Sequence, residues 1–153
     1  MTAEQKKFWL EEVCPFILRE QGRGFAMTDW QENVEHIGNF WADGLVRKTP
    51  SCGTVACIGG TCHMLLAKRP KLKDISNNTE DIAEHIGLSV DKANGLFMNW
   101  DTDDYIMPAS GYCWPERFRK RYQAAKTPLA KAKIAVALIK EVVKTDGECL
   151  ETI

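Results

Sequence analysis

The 153-residue chain carries 20 basic and 21 acidic side chains, a formal net charge of −1, and 44% hydrophobic residues. That length supports one domain with its own core, and the balanced charge supplies no global field to gather nucleic acid or an anionic membrane. No run of about eighteen apolar residues offers a membrane span. The N-terminal MTAEQKKFWLEE lacks the apolar stretch of an export signal. The six cysteines therefore read as reduced thiols of a cytoplasmic protein, mostly buried as small hydrophobes, rather than as a disulfide framework.

Residues 4–20 predict a first helix, because Trp9, Val13, Phe16 and Ile17 fall on one helical face. Pro15 lies inside that pattern and is expected to kink or split it. Gly22-Arg23-Gly24 ends the element. Phe25-Ala26-Met27 reads as a short extended piece. Thr28 and Gln31 have the spacing of a capping box, and Trp30, Val34 and Ile37 then share a helical face that stops at Gly38. Phe40 and Trp41 follow, then a basic turn at Arg47-Lys48.

The stretch 49–67, TPSCGTVACIGGTCHMLLA, carries no full charge when His63 is neutral. It reads as a turn through Pro50, Ser51, Cys52 and Gly53 feeding a buried central helix. Val55, Ile58, Cys62, Leu65 and Leu66 form one side of that helix; Cys57, Gly60, Thr61 and Met64 form another. Gly59 and Gly60 would each cost about 1 kcal/mol in a helix interior, which points to close packing or a ligand.

Beyond a basic linker at 68–73, Asn77, Asn78 or Thr79 caps a helix ending at Gly87, and Ser89 caps the next, roughly Val90 to Phe97. Residues 100–112 read as an acidic loop. Pro115 opens a helix through Ala125. Thr127-Pro128 opens the last, which runs to about Thr145 and stops at Gly147. No convincing period-two alternation appears. The expected fold is a single all-α domain over residues 1–153, with six or seven helices around the buried central one.

The segment Cys52-Gly-Thr-Val-Ala-Cys-Ile-Gly-Gly60 resembles a CGT-x-x-C-x-A-G-W stretch of small, uncharacterised phage and bacterial proteins, actinobacteriophage proteins among them. Phe25, Met27 and Trp30 match a preceding F-x-M-x-x-W. Ile86-Gly87-Leu88-Ser89, Leu96-Phe97, Trp114-Pro115, Phe118 and Tyr122 extend the resemblance over most of the chain. The chain departs from the pattern with Gly59-Gly60 where Ala-Gly is usual and Thr61 where Trp is usual. The resemblance implies an accessory protein that acts on a host factor, including a defence system. It implies no specific chemistry.

Among chemical groups, Cys52 is the sharpest catalytic candidate: a cysteine just ahead of a helix N-terminus gains thiolate character from the helix dipole. Cys-Gly before a helix also looks faintly like cysteine peptidases of the papain and bacteriocin-processing kinds. A base is required, and on one continuous helix His63 would stand roughly 16 Å away, leaving His36 or His85. Cys52, Cys57, Cys62, His63 and Cys113 lack the convergent spacing of a zinc site. Asp101, Asp103 and Asp104 fail the EF-hand pattern, because Ile106 and Tyr112 stand where glycine and glutamate belong. No cofactor is expected.

Residues 81–93 look like a helix-turn-helix, but Glu80, Asp81, Glu84 and Asp91 face Lys92 alone, the wrong sign for phosphate. A basic run of Arg117, Arg119, Lys120, Arg121, Lys126, Lys131 and Lys133 is the better nucleic-acid candidate. Trp100 and Trp114 flank the acidic loop and are candidate partner contacts. The expected function is a non-enzymatic protein-interaction protein, with Trp100, Asp101, Asp103, Asp104, Trp114, Arg117, Arg119, Lys120 and Arg121 as its contact residues. The alternatives are a cysteine-dependent enzyme using Cys52 and nucleic-acid binding through the 117–133 face. Oligomeric state is open.

Overall fold

A computed structural model describes residues 1–27, 31–33 (backbone), 38–52, 54–97 and 111–152. The chain opens with a rod in three contiguous segments: α1 (Ala3–Lys7), a π-helical stretch (Phe8–Val13) and α2 (Cys14–Leu18). Thr2 caps it, accepting the Gln5 backbone N–H, and the Gln5 side chain accepts the Thr2 N–H in return. Pro15 neither ends nor splits the rod. The Cys14 N–H reaches back five residues to the Trp9 carbonyl, and this widened turn makes room where a proline would otherwise collide with the carbonyl before it.

The expectation of an all-α fold is overturned. The described residues contain three two-stranded antiparallel sheets, so the chain mixes helix and strand. Strand β1 (Gln31–Asn33) pairs with β4 (Thr54–Ala56), β2 (Asn39–Ala42) with β3 (Leu45–Lys48), and β5 (Tyr112–Cys113) with β6 (Glu151–Thr152). The helix expected after Thr28 is therefore wrong at residues 31–33; its other positions, 28–30 and 34–37, lie outside the described residues. Ladder partners decide this. Ala56 bridges Phe25 and pairs with Gln31, so β4 also recruits Gln31–Asn33, a segment of poor intrinsic strand propensity.

The central helix is shorter than its sequence pattern. α3 spans Ile58–Leu66, with Cys57 as its N-cap. Val55 belongs to β4, and Gly59 and Gly60 sit in the first helical turn, where a glycine weakens the helix less than in its interior. All of Ile58 to Cys62, with Leu65 and Leu66, is buried.

The remaining helices follow their local punctuation. Asn78 caps α4 (Thr79–Ile86), and Gly87 ends it in the left-handed region. The Ser89 hydroxyl accepts the Lys92 N–H at the start of α5 (Val90–Phe97). Pro115 precedes α6 (Glu116–Ala124), and Thr127 caps α7 (Pro128–Lys144). Helices α4 and α5 pack as two short neighbours. One core joins the first rod, α3, α4, α5, α6 and α7; a satellite of Ala26, Ala42 and Val55, with Phe40 against it, sits under the hairpin. Two core indoles are satisfied within it: Trp9 Nε1 donates to the Ile86 carbonyl at 3.0 Å and Trp114 Nε1 to the Leu96 carbonyl at 2.8 Å. Among the described residues no helix is long and apolar enough to cross a membrane.

Candidate functional site

The β2–β3 hairpin turns on two residues, Asp43 and Gly44, with φ of 50° and 69°. Positive φ at both positions is the type I′ turn whose twist suits a two-residue hairpin, and Asp-Gly is its preferred pair. The register sets Phe40 opposite Arg47 and Trp41 opposite Val46. Because side chains alternate across a strand, the two pairs face opposite ways. Phe40 lies against the satellite core, and Arg47 is buried beside it. Trp41 and Val46 point outward and are 70% and 63% exposed.

The inward face is fastened by polar contacts. Arg47 donates through Nη1 to the Phe25 carbonyl at 2.5 Å and through Nη2 to the Ala42 carbonyl at 3.0 Å. Asp43 is only 4% exposed. Its Oδ2 accepts the Met27 backbone N–H at 2.7 Å and the Tyr122 hydroxyl at 2.5 Å. Tyr122 packs edge-on against Phe25 and Trp114. Burial, then the Asp43 charge and the hydrogen bond to it, push the Tyr122 hydroxyl well above its ordinary pKa. The hairpin is thus bound to the helical body by one face and offers the other to solvent.

Cys52 is exposed, but it does not precede a helix: strand β4 intervenes, and the helix N-cap is Cys57. The dipole argument therefore belongs to Cys57. There burial outweighs the amide donors of Gly60 and Gly59, and the thiol is pushed up to about 11. Cys52 has a different neighbour, Arg19, whose Nη2 donates to its Sγ at 3.0 Å and to the Thr54 carbonyl at 3.3 Å. The adjacent Glu20, in the left-handed region, accepts the Ser51 N–H and hydroxyl and the Arg23 guanidinium. The Ser51 amide, then its hydroxyl, with Arg23 and Arg19 nearby, hold Glu20 below its usual range. His63 Nε2 sits 3.1 Å from the Ile75 carbonyl, and His85 lies on α4. His36 lies outside the described residues.

All six cysteines are free thiols, with Cys14, Cys57, Cys62 and Cys113 buried and Cys149 half-buried. Among the described residues no three His, Cys, Asp or Glu side chains are grouped to hold a metal ion.

The expected contact residues divide. Trp100, Asp101, Asp103 and Asp104 lie outside the described residues. Trp114 is 1% exposed, which corrects its reading as a surface anchor: the indole fills the core between α5 and α6. The basic run is largely engaged. Arg117 pairs with Glu141, Arg119 approaches Glu151 at 4.0 Å and donates to the Trp114 carbonyl, and Lys120 pairs with Glu116 at 2.7 Å. Lys131 is buried. Arg121, Lys126 and Lys133 remain exposed. Sequence reasoning missed Trp41 and Asp43. The available signal was the Asp-Gly pair between Phe40-Trp41-Ala42 and Leu45-Val46, which marks both the turn and the alternation that sends Trp41 outward.

No protein-family model, curated protein or solved structure matches the chain.

Proposed function

We propose that this chain is a non-enzymatic interaction protein, of the phage or bacterial accessory type that its sequence resemblance implies. It engages a protein partner through the outer face of the β2–β3 hairpin. The observation that carries this reading is the cross-strand pair Trp41 and Val46, both largely exposed on a hairpin whose other face is fastened to the core. An exposed tryptophan on a rigid platform is an efficient anchor, because it buries a large area for little loss of side-chain freedom. Lys48 lies on the same face as Val46, and Lys126 lies beyond the turn. The matching partner surface is an apolar pocket rimmed by carboxylates. A host protein, including one of a defence system, is the class that the resemblance implies.

The test is capture from host lysate by tagged wild-type protein, Trp41→Ala and Leu10→Ala. Leu10 is an exposed apolar residue on the first rod, a different element from the hairpin. Trp41→Ala should lose a stoichiometric partner that wild type and Leu10→Ala retain. Equal capture by Trp41→Ala contradicts the reading.

A cysteine-dependent reaction at Cys52 is the second reading, favoured by the exposure of its thiol and the Arg19 contact. A Cys52 that reacts no faster than a free peptide thiol near neutral pH removes it. Nucleic-acid binding through residues 117–133 is less favoured, since Arg117, Arg119 and Lys120 already face carboxylates and Lys131 is buried.

A further inference from the structure

We infer that the partner engaged by the hairpin contributes an extended segment, which adds as a further strand along the open edge of β2. The inference rests on the interaction reading above and names the form of the partner's contact.

The hairpin ladder fixes which main-chain groups are left over. Its two-residue turn makes Ala42 and Leu45 a hydrogen-bonded pair, and at the far end the Thr49 N–H donates to the Gly38 carbonyl at 3.2 Å. Residues 38, 40 and 42 therefore bond across to the β3 side, and the N–H and C=O groups of Asn39 and Trp41 point the other way. Among the described residues no hydrogen bond reaches the main chain of either. Both residues are exposed, so water serves these groups until a strand replaces it.

A strand edge in this condition is a template for pairing, and natural proteins blunt such edges with charge or proline. The β3 edge has both devices: Lys48 ends the strand and Pro50 follows. The β2 edge has neither. Asn39-Phe40-Trp41-Ala42 is uncharged and holds two aromatic residues of high strand propensity. Phe40 and Arg47 fasten the inner face to the body, so the edge is presented on a fixed support.

Geometry selects the occupant. Two copies joined β2 to β2 would be related by a twofold axis perpendicular to the sheet. That places both bodies side by side beneath one continuous sheet. A lone segment needs only the strand spacing of about 4.8 Å. Its alternate side chains fall beside Trp41 and beside Asn39 on the outer face. Trp41 and Val46 suit an apolar side chain there. Behind Asn39 the next side chain across the sheet is Lys48, which suits a carboxylate. The fitting partner is an extended peptide segment that carries an apolar and an acidic residue at alternate positions.

A displayed library of random short peptides, selected on the whole protein, supplies the probe. Enriched peptides should carry that pattern. On binding, amide exchange in the wild-type protein should slow at Asn39 and Trp41 and stay unchanged at Val46 and Lys48. Asn39→Pro removes an N–H that the hairpin does not use and should weaken binding at least about tenfold. Asn39→Ala keeps that N–H and should bind within about twofold of wild type. The exchange measurement needs no variant, so it decides the matter even where Asn39→Pro does not fold. The inference is overturned by the absence of any enriched peptide, by slowing at Val46 and Lys48 instead, or by Asn39→Pro binding as wild type does. Self-association that protects the same two amides without peptide also overturns it, in favour of a second copy. A peptide that needs the Trp41 side chain but not the Asn39 N–H overturns the added strand and leaves the outer-face reading standing.

Discussion

The Tyr122 hydroxyl donates to Asp43 Oδ2 at 2.5 Å, joining α6 to the hairpin turn across 79 positions of sequence. Both groups are buried. Tyr122→Phe keeps the ring and removes the donor, leaving Asp43 with one partner fewer away from water. A hydrogen bond to a charged group contributes about 1.5–3 kcal/mol. Urea unfolding should show a loss of that size, with faster hydrogen exchange at the Met27 amide that shares the same oxygen. Stability within about 0.5 kcal/mol of wild type contradicts the strut.

Stability should fall at alkaline pH. Burial pushes the Cys14 and Cys57 thiols from 9.0 up to about 11, and raises Cys62 and Tyr122 well above their ordinary values. In the unfolded chain these groups lose their protons first. Above the ordinary thiol value the unfolded state therefore binds fewer protons than the folded one, and stability decreases as pH rises. The contribution is fully present below pH 9 and is lost through the folded values near 11. Each thiol adds a slope of up to about 1.4 kcal/mol per pH unit. Denaturant unfolding at about pH 8 and about pH 10.5 checks this, and equal stability at the two contradicts it.

Thiol labelling should proceed in three classes. Cys52 is exposed and reacts in the folded protein; Cys149, half-buried, reacts more slowly. Cys14, Cys57, Cys62 and Cys113 react only as the chain opens. Mass spectrometry after a timed reaction with a maleimide reads each site. Labelling of Cys57 or Cys62 as fast as Cys52 would show that the core around α3 is not closed.

Gly95→Ala should destabilise although alanine favours helix by about 1 kcal/mol. A methyl group there would stand 2.6 Å from Tyr112 Cβ and 2.7 Å from the Tyr112 carbonyl carbon and oxygen. Backbone in a paired strand yields poorly, so overpacking of about 1–3 kcal/mol outweighs the gain. A raised melting temperature for Gly95→Ala would refute this close approach of α5 to β5.

Much of the helical part was legible because its boundaries are local. Asn78, Gly87, Ser89, Thr127 with Pro128, and Gly147 each act within a few residues, and α4, α5 and α7 begin and end where they direct. The strands were not legible in that way. Gln31-Glu32-Asn33 has no alternation and becomes a strand because Thr54-Val55-Ala56 lies beside it. Val55 and Ile58 fall at helical spacing, yet one is in β4 and the other opens α3. That boundary moved the helix N-terminus from Cys52 to Cys57 and changed which thiol it touches. Asp43-Gly44 was a readable hairpin signal. The burial of Trp114 and the Arg117–Glu141 pair were not readable, since each depends on elements meeting in space.

Partner affinity with and without the Trp41 side chain tests the interaction reading most directly. Once a partner is captured, titration calorimetry should show Trp41→Ala weakening binding by about 2 kcal/mol or more, roughly thirtyfold, at unchanged thermal stability. Leu10→Ala should bind as wild type does. An affinity for Trp41→Ala within about twofold of wild type would show that the outer face of the hairpin is not where this protein meets its partner.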